Sequence, residues 1–181
     1  MRKVSYIREI MERILKFSVE ILKFVGFLRL KGFAKDKYFY MFMIIPLLLY
    51  FALYYVLLFM PTIKINTNSF SLFSLHFLLV QFFVVSIPEE LFFRGFLMQL
   101  ISEYTGNRKV CYFLSYANIL SSVLFSAAHI FTHSLMWSMS ILFPSLIFGY
   151  FREKYNSVWP SIILHFWYNI IFSIFISCFY K

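Results

Sequence analysis

The sequence predicts an all-α protein, a polytopic membrane helical bundle of about five transmembrane helices preceded by an amphipathic interfacial helix. Three observations carry that expectation. Hydrophobic residues make up 61% of the chain and charged residues only 14%, whereas soluble domains carry about 25% charged residues. The apolar residues fall into blocks of the length that crosses a bilayer, about 20 residues of helix. The charge is segregated, with ten of the seventeen Lys and Arg residues lying at or before Lys37.

Residues 1–37 form the first unit. Glu9, Glu12, Lys16, Glu20 and Lys23 recur at steps of three and four and so share one helical stripe. Ile14, Leu15, Val19, Leu22 and Val25 take much of the remaining surface. Such a helix lies in the headgroup layer rather than crossing it, and its basic excess favours anionic lipids. Charges interrupt every short apolar run here, so a cleaved signal peptide is not expected.

Residues 38–181 form the transmembrane unit. The first span is Tyr38–Met60, closed by Pro61. After the polar stretch Thr62–Ser69, the second runs from about Phe70 to Ile101. The polar run Ser102–Lys109 precedes the third, Cys111–Phe131; the fourth is Ser134–Phe151 and the fifth Ser161–Tyr180. With the N-terminus cytoplasmic, that side receives the ten N-terminal basic residues plus Arg108, Lys109, Arg152 and Lys154, against Lys64 and Lys181 outside. The asymmetry follows the positive-inside rule and leaves the C-terminus outside.

The net charge of +9 is thus a topology and lipid signal. No motif that reads RNA or DNA accompanies it, so no nucleic-acid partner is expected. The predicted topology puts Cys111 and Cys178 at opposite membrane faces, so no disulfide between them is expected, and no CxxC or zinc-finger spacing is present.

Within the apolar blocks the only acids are Glu89 and Glu90, in Ile87-Pro88-Glu89-Glu90-Leu91-Phe92-Phe93-Arg94-Gly95. An ionised group at bilayer depth costs about 2.5–3.5 kcal/mol on insertion scales, so three in six residues require partners. Glu90 and Arg94 are four apart and suited to an ion pair. Glu89 lies about 100° round the helix and stays available for proton transfer. Pro88 and Gly95 bracket the motif and are expected to loosen or kink the helix.

Two further polar sites stand out, His129 in Phe125-Ser126-Ala127-Ala128-His129 and the pair His165 and Asn169, which share a helical face. Together with Glu89, Glu90 and Arg94 they exceed what packing requires and suit water activation. Glu89 is the candidate base, His129 orients the water or the base, and His165 and Asn169 donate to an oxyanion. No cofactor is required. Zinc held by His129, His165 and Glu89 is the competing mechanism. His76 reads as structural. Helical rise puts these groups at unequal depths, so either a helix breaks near Gly95 or the span boundaries lie elsewhere.

In this order the landmarks resemble the CPBP group of intramembrane proteases, which includes CAAX prenyl endopeptidases of the Rce1 type and the Abi proteins. The group's EExxxR, FxxxH and HxxxN patterns correspond to Glu89, Glu90 and Arg94, to Phe125 and His129, and to His165 and Asn169, over about residues 80–175. The resemblance implies hydrolysis of a peptide bond in a membrane-associated substrate. It makes the first glutamate the base, the FxxxH histidine its partner and the HxxxN pair the oxyanion contact. A metal-free glutamate mechanism is favoured for the group, although its members have also been called metalloproteases. The implied substrate is a lipidated or membrane-anchored tail, in a prokaryotic cell membrane a C-terminal sorting tail. Some relatives serve as immunity or scaffold proteins, which makes a non-catalytic role the alternative. Two departures occur: Ser145 stands where the third motif, FxxGxxxG, has its first glycine, four before Gly149, and Asn156 replaces the usual turn glycine.

Overall fold

The structure is a computed structural model that describes residues 2–29, 32–59, 74–106 and 108–179. Helix α1 spans Arg2–Phe24 and α2 Lys37–Leu58. Helix α3 runs unbroken over Leu75–Thr105. A short hairpin follows, β1 (Lys109–Cys111) against β2 (Leu114–Ser115). Helix α4 covers Tyr116–Ala128 and continues as a 3-10 turn over His129–Phe131. Helices α5 (Leu135–Tyr155) and α6 (Trp159–Phe179) complete the chain. Helices α2, α3 and α6 are long and apolar enough to cross a membrane. The shorter α4 is apolar, and α5 carries Arg152 and Lys154 in its last turn. The protein is an all-α membrane helical bundle, as the apolar blocks predict.

Boundaries differ from the sequence expectation: α5 runs to Tyr155 rather than Phe151, α6 starts at Trp159 rather than Ser161, and two more differ beside the hairpin. Ser102–Lys109 is not a loop throughout, because α3 continues to Thr105 and ends at Gly106, whose φ of 66° is left-handed geometry that glycine adopts without steric cost. The third helix does not begin at Cys111. That residue lies in β1 as a free, exposed thiol, and Ser115 caps α4 by accepting the Asn118 N–H at 2.9 Å. Met60, Pro61, the stretch 62–69, the expected start of the second span at Phe70, and Tyr180 lie outside the described residues, as does the side chain of Cys178.

Helices α2, α5 and α6 share a core of Phe39, Phe148, Phe151 and Leu164. Pro46 has no N–H for the Phe42 carbonyl four residues back. Tyr168 supplies the missing donor, its hydroxyl 2.8 Å from that oxygen. Between α4 and α5, Asn118 Nδ2 donates to the Leu146 carbonyl at 3.0 Å. Gly149 makes room for that carboxamide, because a Cβ there would overlap Asn118 Oδ1. Small residues thus allow the close helix approach typical of membrane bundles.

The segments 25–29 and 32–36 form a strap against the α5–α6 turn. Trp159 Nε1 donates to the Phe27 carbonyl at 2.7 Å, and Ser157 Oγ donates to the Arg29 carbonyl. Asp36 accepts from Lys154 Nζ at 2.5 Å and from the Tyr155 hydroxyl. Burial raises the Asp36 carboxyl, but these donors and the Tyr38 N–H outweigh it and hold the group below its ordinary value. Lys154 is correspondingly raised: burial lowers it, and the Asp36 hydrogen bond more than reverses that. Asn156 closes α5 at φ 48°, the left-handed position for which the sequence substitutes asparagine for glycine.

Candidate active site

Helix α3 is wound wide on both sides of its acidic turn. Val80–Ser86 and Leu91–Leu97 are π-helical, flanking Ile87–Glu90. The N–H groups of Ile87 and Met98 reach five residues back, to the Phe82 and Phe93 carbonyls. The expected loosening near Pro88 and Gly95 therefore takes the form of wide turns, not a break. Backbone oxygens in the second wide turn also receive side chains from neighbouring helices. Ser121 Oγ donates to the Phe93 carbonyl at 2.8 Å and Arg152 Nε to the Arg94 carbonyl at 3.0 Å. Gly95 admits the strap, since a Cβ there would stand 2.8 Å from Val25 Cβ.

These contacts bring the depths of Glu90 and His165 together. Arg152, near the end of α5, is level with Arg94, so the last turns of α3 overhang the basic end of the bundle. Measured from Arg94, Glu90 lies about 6 Å inward, and His165 lies about 9 Å from the start of α6, at 1.5 Å per residue. The boundaries were at fault, and α3 stays continuous.

The charged residues meet as a chain of contacts. Arg94 Nη1 donates to Glu90 Oε1 at 2.8 Å, with both side chains 0% exposed. Arg94 Nη2 donates to Ser145 Oγ at 2.6 Å and to its carbonyl at 3.2 Å. Its guanidinium stacks over the Phe125 ring, 4.2 Å from the centroid. Thus Ser145, in the place of the motif's glycine, adds an acceptor for the buried arginine. His165 Nδ1 lies 2.8 Å from the same Glu90 oxygen. Because a carboxylate only accepts, Nδ1 carries the proton. Nε2 then faces Glu89 Oε2 across 3.9 Å. Glu89 is 34% exposed at its side chain, in contrast to Glu90. Neutral His165 therefore offers a lone pair at Nε2, and the protonated ring offers a donor there. Ser86 Oγ, Glu89 Oε2 and Glu90 Oε2 are buried without a hydrogen-bond partner, all within the turn that carries the acids.

His129 joins through Phe125. Its Nδ1 donates to the Phe125 carbonyl at 2.8 Å, and its ring packs 4.6 Å from the Phe125 centroid. His165 also packs against Phe125, at 5.7 Å by ring centroids. Asn169, one turn beyond His165, donates from Nδ2 to Gln81 Oε1 at 3.1 Å. His76 is exposed on the first turn of α3 and takes no part.

Gln81 is a residue that the sequence reading passed over. Eight residues separate it from Glu89, which in an α-helix is two turns plus about 80°. The five-residue bonding of Val80–Ser86 lessens the rotation per residue and removes much of that overshoot. Gln81 so turns toward the acidic face. The signal was available: a lone amide in an apolar run, the same feature that marks Asn169. Asn118 was missed for the same reason.

The zinc alternative fares differently. Among the described residues no three His, Cys, Asp or Glu side chains gather to hold a metal ion. Of His129, His165 and Glu89, only His165 and Glu89 come within ion-pair distance of each other, at 3.9 Å, and the Nδ1 hydrogen bonds of the two histidines leave Nε2 of each free.

Residues 71–171, more than half of the chain, match the family model described as Rce1-like, type II CAAX prenyl endopeptidase Rce1-like. No curated protein and no solved structure matches the chain.

Proposed function

Because the chain belongs to the Rce1-like family of type II CAAX prenyl endopeptidases, we propose that it hydrolyses a peptide bond near the C-terminal tail of a lipidated or membrane-anchored protein. The family is a protease family, and the assignment of substrate and residues is our own reading. The observation that carries it is the orientation of His165. The buried Glu90–Arg94 pair engages Nδ1 and thereby aims Nε2 at the partly exposed Glu89.

Glu89 is the base. It takes a proton from water as the hydroxide oxygen bonds to the peptide carbonyl carbon, and the carbonyl electron pair moves to oxygen. The oxyanion is met by Asn169 Nδ2–H and by Nε2–H of protonated His165. Glu89 returns its proton to the leaving amine as the C–N bond breaks. His129 orients the water or the base. Glu90 and Arg94 hold the imidazole and do not react.

The chain is a membrane protein. In the proposed topology, in a prokaryotic cell membrane, the N-terminus is cytoplasmic, α1 rests on anionic lipid, and the C-terminus is outside. The free thiol of Cys111 would then react with an impermeant maleimide from the cytoplasmic face alone. The reaction is tested by incubating the detergent-purified chain with a library of lipidated C-terminal peptides and mapping products by mass spectrometry. One defined cut near the C-terminus is expected. Absence of cleavage across the library favours the non-catalytic immunity or scaffold role.

A further inference from the structure

The basic end of the bundle holds a cleft of about 550 Å3 between α3, the hairpin and the end of α5. Glu89, His129, His165 and Asn169 are not among its lining residues. Its charged lining is the buried Arg94 and Arg152 with Lys109 and Lys154, against one acid, Glu153, and Tyr112 stands beside them.

The charges of this cleft do not balance. Arg94 is matched by Glu90, and Lys154 by Asp36. Arg152 is only 4% exposed, yet it donates to neutral acceptors: the Arg94 carbonyl at 3.0 Å, Asn156 Oδ1 at 2.8 Å and Gln99 Oε1 at 3.3 Å. Among the described residues no carboxylate lies within ion-pair distance of it. The Glu153 carboxyl instead accepts from Ser115 Oγ, and burial raises it toward the neutral form. A buried cation with no counter-ion in contact is costly, and burial together with nearby Arg29 pushes Arg152 down to about 10, with Glu153, beyond ion-pair reach, opposing only part of that shift.

We propose that this cleft binds the phosphate of an anionic phospholipid headgroup, held by Arg152 and Lys109. A guanidinium matches phosphate in charge and in donor geometry. The surroundings select a lipid as its source. The cleft lies where the helical bundle ends, and the hairpin beside it presents Tyr112, 93% exposed, and Phe113, 57% exposed, next to Lys109. Aromatic side chains beside basic ones are the pattern of the membrane–water interface, and basic pockets between membrane helices recognise anionic headgroups. This site is separate from any lipid contact of α1 and does not depend on the peptidase assignment.

Native mass spectrometry of the full chain in detergent, titrated with phosphatidylglycerol or phosphatidylcholine, tests the proposal. About one phosphatidylglycerol per chain is expected to bind ahead of phosphatidylcholine, and Lys109→Gln should weaken it about five-fold, the effect of one basic charge near a headgroup. Arg152→Gln should weaken it further; if that variant does not fold, Lys109→Gln alone decides. Removing two positive charges of α1 with Arg13→Gln and Lys16→Gln should leave the bound lipid in place. Equal binding of the two lipids, or phosphatidylglycerol affinity unchanged by Lys109→Gln, overturns the proposal. Inorganic phosphate binding in full competition with the lipid would assign the site to the free ion and overturn the lipid as its source.

Discussion

His165 presents Nδ1 to Glu90 Oε1 at 2.8 Å, and this one hydrogen bond determines what the other ring nitrogen can do. Residues 75 positions apart in the chain are joined at a carboxylate that Arg94 already neutralises. The imidazole is thereby fixed in tautomer and direction without losing its free nitrogen. Glu90 and Arg94 are in this account a mounting for His165, and Glu89 is the group left to react.

Removing half of the mounting should be worse than removing all of it. Arg94→Met leaves a buried carboxylate unpaired, with an expected loss of about 3–5 kcal/mol. Adding Glu90→Leu should recover much of that stability, since replacing a whole buried pair by apolar side chains is often neutral. Activity should fall in Arg94→Met, where Glu90 still holds His165 but is no longer neutralised by arginine, and should be lost in the double variant, where His165 has no anchor. Thermal unfolding in detergent and a cleavage assay measure the two effects separately.

Gln81 positions Asn169 through the 3.1 Å hydrogen bond to Nδ2. Gln81→Leu should therefore lower kcat about tenfold, less than the ~10²–10³ of a lost oxyanion donor, and leave KM nearly unchanged. Steady-state kinetics would show the split. A rise in KM with kcat intact would instead make Gln81 a substrate contact.

Gly149→Ala should destabilise the α4–α5 contact by about 1–3 kcal/mol, the usual range for overpacking. The added methyl meets the Asn118 carboxamide. Asn118→Ala in the same chain should recover part of the loss, and a double-mutant cycle on unfolding temperatures measures the coupling.

The strap should respond to pH with a definite sign. Asp36 is lowered in the folded protein, so its contribution is full above the ordinary carboxylate value and disappears as pH falls through the lower folded value. Lys154 is raised, so its contribution is full below the ordinary lysine value and disappears as pH rises through the folded one. Hydrogen exchange in residues 25–29, corrected for intrinsic rates, should stay slow between those limits. Asp36→Asn should speed it by an amount corresponding to about 1 kcal/mol or less, as for a partly exposed pair.

The bundle was legible because apolar length and charge segregation are properties of whole segments. The Glu90–Arg94 pair was legible because four-residue spacing survives in α3 despite its wide turns. The wide turns themselves were not. In Val80-Gln81-Phe82-Phe83-Val84-Val85-Ser86 nearly every position is apolar, so the sequence carries no periodicity from which a hydrogen-bonding register can be read. The hairpin was hidden for a related reason, since Tyr112 and Phe113 count as span residues by hydropathy although they stand exposed. Arg152 looked like a topology signal alone, and only the structure places it on the Arg94 carbonyl.

The central claim is that Glu89 activates water, and the direct measurement is single-turnover cleavage by the purified parent and by Glu89→Gln under identical conditions. A fall of at least about 10²–10⁴ is predicted, the contribution of a positioned general base, with the unfolding temperature unchanged. A Glu89→Gln chain that cleaves as fast as the parent would contradict the account.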